Sequence, residues 1–171
     1  MALFLAIAGT QVKVPGLAWM LTFLPALMVA LFPRWGIRAL AGLGASLAVI
    51  LWFFPPHHLP LSWLGLPDIP LGFHPVVWPF LENGFIFDNW HLFWYLALLA
   101  MAFLPLRAFS RPLLPLTILF LTASAFIFFV FFLTDRYRFA LDYTQINRAV
   151  LHVVPLSAFY VAMLMKGRKG A

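Results

Sequence analysis

Long apolar runs alternate with short polar turns along this chain. Runs over 16–32, 39–54, 92–106, 113–134 and 149–165 are built mainly of Leu, Phe, Ala and Val. A hydrocarbon core about 30 Å thick takes roughly 17–25 helical residues. These five runs therefore predict transmembrane helices, the shorter ones extended into the interface by flanking Trp, Tyr and Arg. None alternates with period two as a barrel strand would. Pro25 and Pro155 fall inside spans, where neighbouring helices can absorb a kink. The predicted fold is all-α: one polytopic membrane domain over 1–171, with a short N-terminal helical stub and an outer segment over 55–91. Fourteen prolines argue against strands.

The segment 55–91 breaks the pattern. It is too apolar for a solvated loop and too often interrupted by proline for a span. Its composition predicts a strip along the membrane interface, with Trp63, Trp78 and Trp90 at headgroup level. A sharper reading makes it a lid over a lipid-facing cavity. Asp88 or Asn89 is a candidate cap for the helix that begins near Trp90.

Composition agrees with a membrane setting. The 171 residues are 64% hydrophobic and 9% charged, where a soluble domain carries about 25% charged residues. A net charge of +6 raises the question of nucleic acid, but no basic stripe with interleaved aromatics lies on a soluble face, and no nucleic-acid partner is expected. Cysteine is absent, which removes disulfides and thiolate metal sites. His57 and His58 are adjacent, point apart on most backbones, and have no Cys or close acid to complete a tetrahedral set. No cofactor is expected, and a divalent metal is left open without residues to support it.

The few charges orient the spans. Arg34, Arg38, Arg107, Arg111, Lys166, Arg168 and Lys169 lie in turns and a tail without acids, whereas all five acids lie in 55–91 and 135–148. With the tail in the cytoplasm and each span crossing once, seven of eleven basic residues fall inside, as the positive-inside rule requires. The expected location is a bacterial inner membrane with a cytoplasmic C-terminus, and the bilayer is the first expected partner.

Lys13, Arg136, Arg138 and Arg148 then lie outside, against that rule. Thr144 is a candidate N-cap for the last helix, on which Gln145, Arg148 and His152 share one face, His152 about 6 Å deeper than Arg148. An Arg near the bilayer needs an anionic partner. Asp142 or Asp135 would serve as a structural staple. Alternatively, guanidinium forks bind phosphate oxygens bidentately, and Lys13, Arg136, Arg138, Arg148 and His152 become a candidate lipid-phosphate site.

The stretch over 4–53, with Lys13-Val14-Pro15-Gly16-Leu17 after a small-residue turn, resembles the central part of GT-C superfamily glycosyltransferases. The run TQINRAVLHVVPLSAF over 144–159 resembles the closing helix of bacterial members, and DNWHLFWYLALLAMAFLPLRAF over 88–109 their outer aromatic turn. The resemblance implies a polytopic enzyme in which an Asp deprotonates an acceptor hydroxyl that attacks the anomeric carbon, releasing polyprenyl phosphate. Lys13 and Arg148, assisted by Arg136 and Arg138, would stabilise the leaving phosphate. The family's base is an Asp in an early outer loop, yet no acid precedes Asp68 here. The chain is thus expected to match the C-terminal half, with residues 2–8 the end of a cut helix, Asp68 the one weak candidate base, and an N-terminal-half chain as partner. The competing expectation is a non-enzymatic membrane scaffold or assembly subunit. A transporter ranks third, since ionisable groups are missing from mid-span apart from His152.

Overall fold

A computed structural model describes residues 19–62, 67–87, 92–143 and 145–166. These residues are mostly helical, as the apolar runs predict. Helix α1 (Phe23–Leu31) follows a turn in which Thr22 donates through its hydroxyl to the Trp19 carbonyl. The interruption lies just before Pro25, which has no N–H to give the Leu21 carbonyl. Helix α2 (Gly36–Phe53) has 18 residues, about 27 Å. It meets α1 at Gly36, where a Cβ would lie 2.8 Å from the Met28 carbonyl oxygen and 2.9 Å from the Val29 Cα. Only Gly36 of α2 is buried, Leu40 is half-buried against Ala26, Val29 and Ile118, and the rest of this apolar helix is exposed.

The outer segment contains two short strands that the all-α expectation did not include. Strands β1 (His58–Leu59) and β2 (Ile69–Pro70) pair antiparallel, with His58 opposite Pro70. The hairpin seats on the end of a long helix, α6 (Leu114–Leu133): Gly72 N–H donates to the Leu133 carbonyl at 3.1 Å and His74 N–H to Phe132 at 2.7 Å. Helix C-termini leave carbonyls without partners, and here the strip supplies the donors. Trp78 is exposed, while Trp63 and Trp90 lie outside the described residues.

Helix α3 (Val77–Leu81) widens into a π-turn over Glu82–Ile86. The run predicted as one span over 92–106 divides into α4 (Phe93–Phe103) and α5 (Pro105–Ala108). Proline disfavours helical backbone in the residue before it, and Leu104 turns away at φ −123°. After α6, a 3₁₀ turn (Asp135–Tyr137) leads to α7 (Arg138–Leu141). The last predicted span also divides, into α8 (Ile146–Leu151) and α9 (Val154–Met165). Pro155 withdraws a donor from the Leu151 carbonyl, and His152 and Val153 tighten into bonds with Ala149 and Val150. The expected Thr144 cap lies outside the described residues, and Gln145 precedes the first helical residue.

Two helices, α2 and α6, are long and apolar enough to cross a membrane; Trp19–Leu31, Phe93–Phe103 and Val154–Met165 are shorter apolar helices. The core gathers α6 against α4 and α9. Phe120 stacks on Tyr160 at 5.0 Å, and the Tyr160 and Thr117 hydroxyls meet at 3.1 Å. Thr117 also donates to the Ala108 carbonyl at 2.6 Å, which ties α5 to α6.

The charged turns sort to opposite ends of this bundle. Arg107 donates to the Lys166 carbonyl, and Ala30 near the end of α1 lies beside Pro112 and Pro115 at the start of α6. Arg34, Arg38, Arg107, Arg111 and Lys166 therefore share one end. At the other, the hairpin carrying Asp68 sits beside Thr134, and Tyr143 reaches Glu82.

Candidate binding cavity

An apolar cavity of about 590 Å³ opens among α3, the π-turn, α4, α6 and α8. That volume lies within the roughly 300–1,000 Å³ range of small-molecule sites. Alpha-helical periodicity aims Phe120, Ser124, Ile127 and Phe128 of α6 into it, and Trp94, Ala97, Leu98 and Met101 of α4 face them. From Phe120 to Phe132 the α6 wall extends about 18 Å along the helix axis. The remaining wall comes from Phe80 and Asn83 on one side and Ile146, Asn147 and Val150 on the other.

Polarity is graded along this space. Asn83 and Asn147 belong to the acid-bearing end, Ser124 lies midway, and Met101 and Phe120 close the far end with hydrocarbon. No charged side chain lines the cavity among the described residues. Asn83 is 2% exposed, and its Nδ2 donates to the Pro79 carbonyl at 3.0 Å. A polar group buried without a partner costs about 1–3 kcal/mol, so this amide inside a hydrocarbon wall needs an explanation.

Of the cations expected to form a phosphate cluster, Arg136, Arg138 and Arg148 are exposed, and the first two are separately engaged. Arg136 pairs with Asp135 at 3.6 Å and leans over Phe139, while Arg138 lies over Tyr137. The Arg136–Asp135 pair is about half exposed, where such pairs contribute little. Among the described residues no carboxylate pairs with Arg148, which follows the cavity-lining Asn147 on α8. His152 sits at the break between α8 and α9, its ring 5.7 Å from Trp19. It thus follows the last residue of α8 rather than lying in mid-helix with Arg148. Lys13 lies outside the described residues.

Asp68 closes the hairpin. One of its carboxylate oxygens accepts from Leu61 N–H at 2.8 Å and Ser62 N–H at 2.9 Å. These two bonds, with Leu61 first, hold its pKa below the ordinary 3.8. A carboxylate so held is a weaker proton acceptor than a free one. His58 lies in β1, and no group of three His, Asp or Glu able to hold a metal occurs among the described residues.

Asn83, Ser124 and Asn147 did not stand out in the sequence. Each is a small neutral residue without a motif, and only the packing of four elements brings them together. The signal available was the lone amide in the apolar run VVWPFLEN. Compared with protein-family models, curated proteins and solved structures, the chain matches none.

Proposed function

We propose that this chain is the carrier-binding membrane portion of a GT-C-like glycosyltransferase, holding a polyprenyl-phosphate-linked sugar at the outer face of a bacterial inner membrane. The observation that carries the reading is the graded cavity. A hydrocarbon-walled space about 18 Å long, with both amides at one end, suits an isoprenoid chain whose head lies beside Asn147 and Arg148. In this reading all five apolar runs cross the bilayer, the shorter helices completed by interfacial turns, with the Lys166 end cytoplasmic.

Arg148 would contact the carrier phosphate first, since it follows a cavity residue and lacks a carboxylate among its described neighbours. Arg136, Arg138 and Lys13 would extend the cationic rim, with His152 a further hydrogen-bonding group. As the glycosidic bond breaks, charge grows on the leaving phosphate, and a guanidinium beside it lowers the barrier. Asp68, bound to two backbone N–H groups, is poorly placed as the base, so a partner chain supplying the first half of the fold would provide it.

The test is binding of a polyprenyl phosphate to the purified chain in nanodiscs. Arg148→Ala should weaken it by about tenfold to a hundredfold, the scale of a charged hydrogen bond. Undiminished binding by the variant, or none by the native chain, refutes the proposal. One observation favours the scaffold reading instead: nearly all of α2 is apolar and exposed, as for a helix that packs on another subunit.

A further inference from the structure

We infer that the cavity selects a ligand with a neutral hydroxyl, which donates a hydrogen bond to the Oδ1 of Asn83. The inference rests on the proposal that the cavity takes an isoprenoid-like chain, and it concerns the free alcohol of that chain, because the phosphate ester has no chain hydroxyl to donate.

The argument begins with the amide itself. A carbonyl oxygen can only accept, so the atom facing the Pro79 carbonyl at 3.0 Å is Nδ2. That leaves Oδ1 as an acceptor without a partner among the described residues, in a side chain that is 98% buried by its 2% exposure. Asn83 is held in place from two directions. Its own Nδ2–Pro79 bond fixes the carboxamide plane, and the preceding Glu82 is tied to Tyr143 across the cavity's polar end. Glu82–Ile86 form a π-turn, a geometry frequent at functional sites because it re-aims one side chain out of helical register.

The chemistry of the ligand follows from the wall. No cation lines the cavity among the described residues, so an anion inside it would be desolvated without compensation. A bare hydrocarbon would leave Oδ1 unsatisfied. A hydroxyl answers both conditions: it is neutral, it donates to Oδ1, and its oxygen can accept in turn from Ser124 at the same cavity. The phosphate ester of the same chain lacks this donor, and its headgroup would sit outside the lining, at the Arg148 rim.

The experiment compares geranylgeraniol with its O-methyl ether, a pair alike in chain and differing in one donor. Binding to the full chain in nanodiscs is measured for both, and for the phosphate ester alongside. The native protein should hold the alcohol roughly tenfold more tightly than the ether, the scale of one buried unsatisfied acceptor. Asn83→Leu should bring that ratio close to one. Because Asn83→Leu also removes the bond to Pro79, the comparison within the native protein decides. Equal affinities for alcohol and ether, or binding of neither, overturn the inference. Tight phosphate binding without discrimination between alcohol and ether would refute it while sparing the carrier proposal. Discrimination with no gain from the phosphate would do the reverse.

Discussion

The hydroxyl of Tyr143 donates to a carboxylate oxygen of Glu82, joining the π-turn that bears Asn83 to the turn that precedes Asn147. Tyr143 accepts a left-handed backbone, φ 58°, to make this reach, and its ring meets Phe87 edge-on at 5.7 Å. A non-glycine residue there carries strain, so the surrounding contacts hold it. The Glu82 carboxylate raises the Tyr143 pKa above its ordinary 10.0.

Tyr143→Phe keeps the ring and removes the tie. Amide exchange over 82–86 and 145–151 should accelerate, with little change in the core helices. The sign with pH follows: a tyrosine whose folded pKa is raised contributes its stability below the unfolded value and loses it as pH rises through the folded value. Native exchange in these two segments should therefore rise in alkali above about pH 10, while the Phe variant should show no such step. A native profile as flat as the variant's would refute the role of the pair.

Asp68 has the opposite sign. Its pKa is depressed by the Leu61 and Ser62 amides, so its contribution is present above the ordinary 3.8 and is lost as pH falls through the lower folded value. Acid should open the β1–β2 hairpin, read as faster exchange at Leu61 and Ser62. Asp68→Asn retains an acceptor oxygen and should remove the acid dependence while keeping the turn; Asp68→Leu should open it at neutral pH.

Thr117 and Tyr160 are both nearly fully buried, and they share a hydrogen bond inside the α6–α9 contact. Tyr160→Phe should cost about 1 kcal/mol of stability, since Thr117 still serves the Ala108 carbonyl. Thr117→Val strands both partners and should cost about 1–3 kcal/mol. The double variant should destabilise by less than the sum, because the two share one bond. Additive losses in detergent unfolding would contradict the shared bond.

Gly36→Leu should destabilise the α1–α2 turn, because its Cβ would meet backbone atoms at 2.8 and 2.9 Å rather than a movable side chain. A loss of roughly 1–3 kcal/mol is expected, the usual cost of overpacking. Gly42→Leu on the same helix has open space around it and should be close to neutral.

The native chain has no cysteine, so single cysteines can report sidedness. Arg34→Cys and Lys166→Cys should react with an impermeant thiol reagent from one side of the membrane, and Ser62→Cys from the other. Labelling of Ser62→Cys together with Lys166→Cys would overturn the proposed orientation.

Hydropathy alone determined that this chain is mainly helical and which stretches are apolar, because burial of a helix in hydrocarbon demands unbroken runs that any reader can count. The 113–134 run became α6 within a residue at each end. The sorting of Arg107 and Lys166 to one end was equally legible, since charge at a turn is visible without packing. Tertiary structure decided the rest. Pro105 and Pro155 each cut a run in two, and whether a proline kinks or ends a helix depends on the neighbours that receive the freed carbonyls. Two short strands formed where α6 offered carbonyls to the outer segment. The cavity, and Asn83 within it, arose from side chains far apart in the chain, Asn83 lying 41 positions from Ser124 and 64 from Asn147, a juxtaposition that no local pattern encodes.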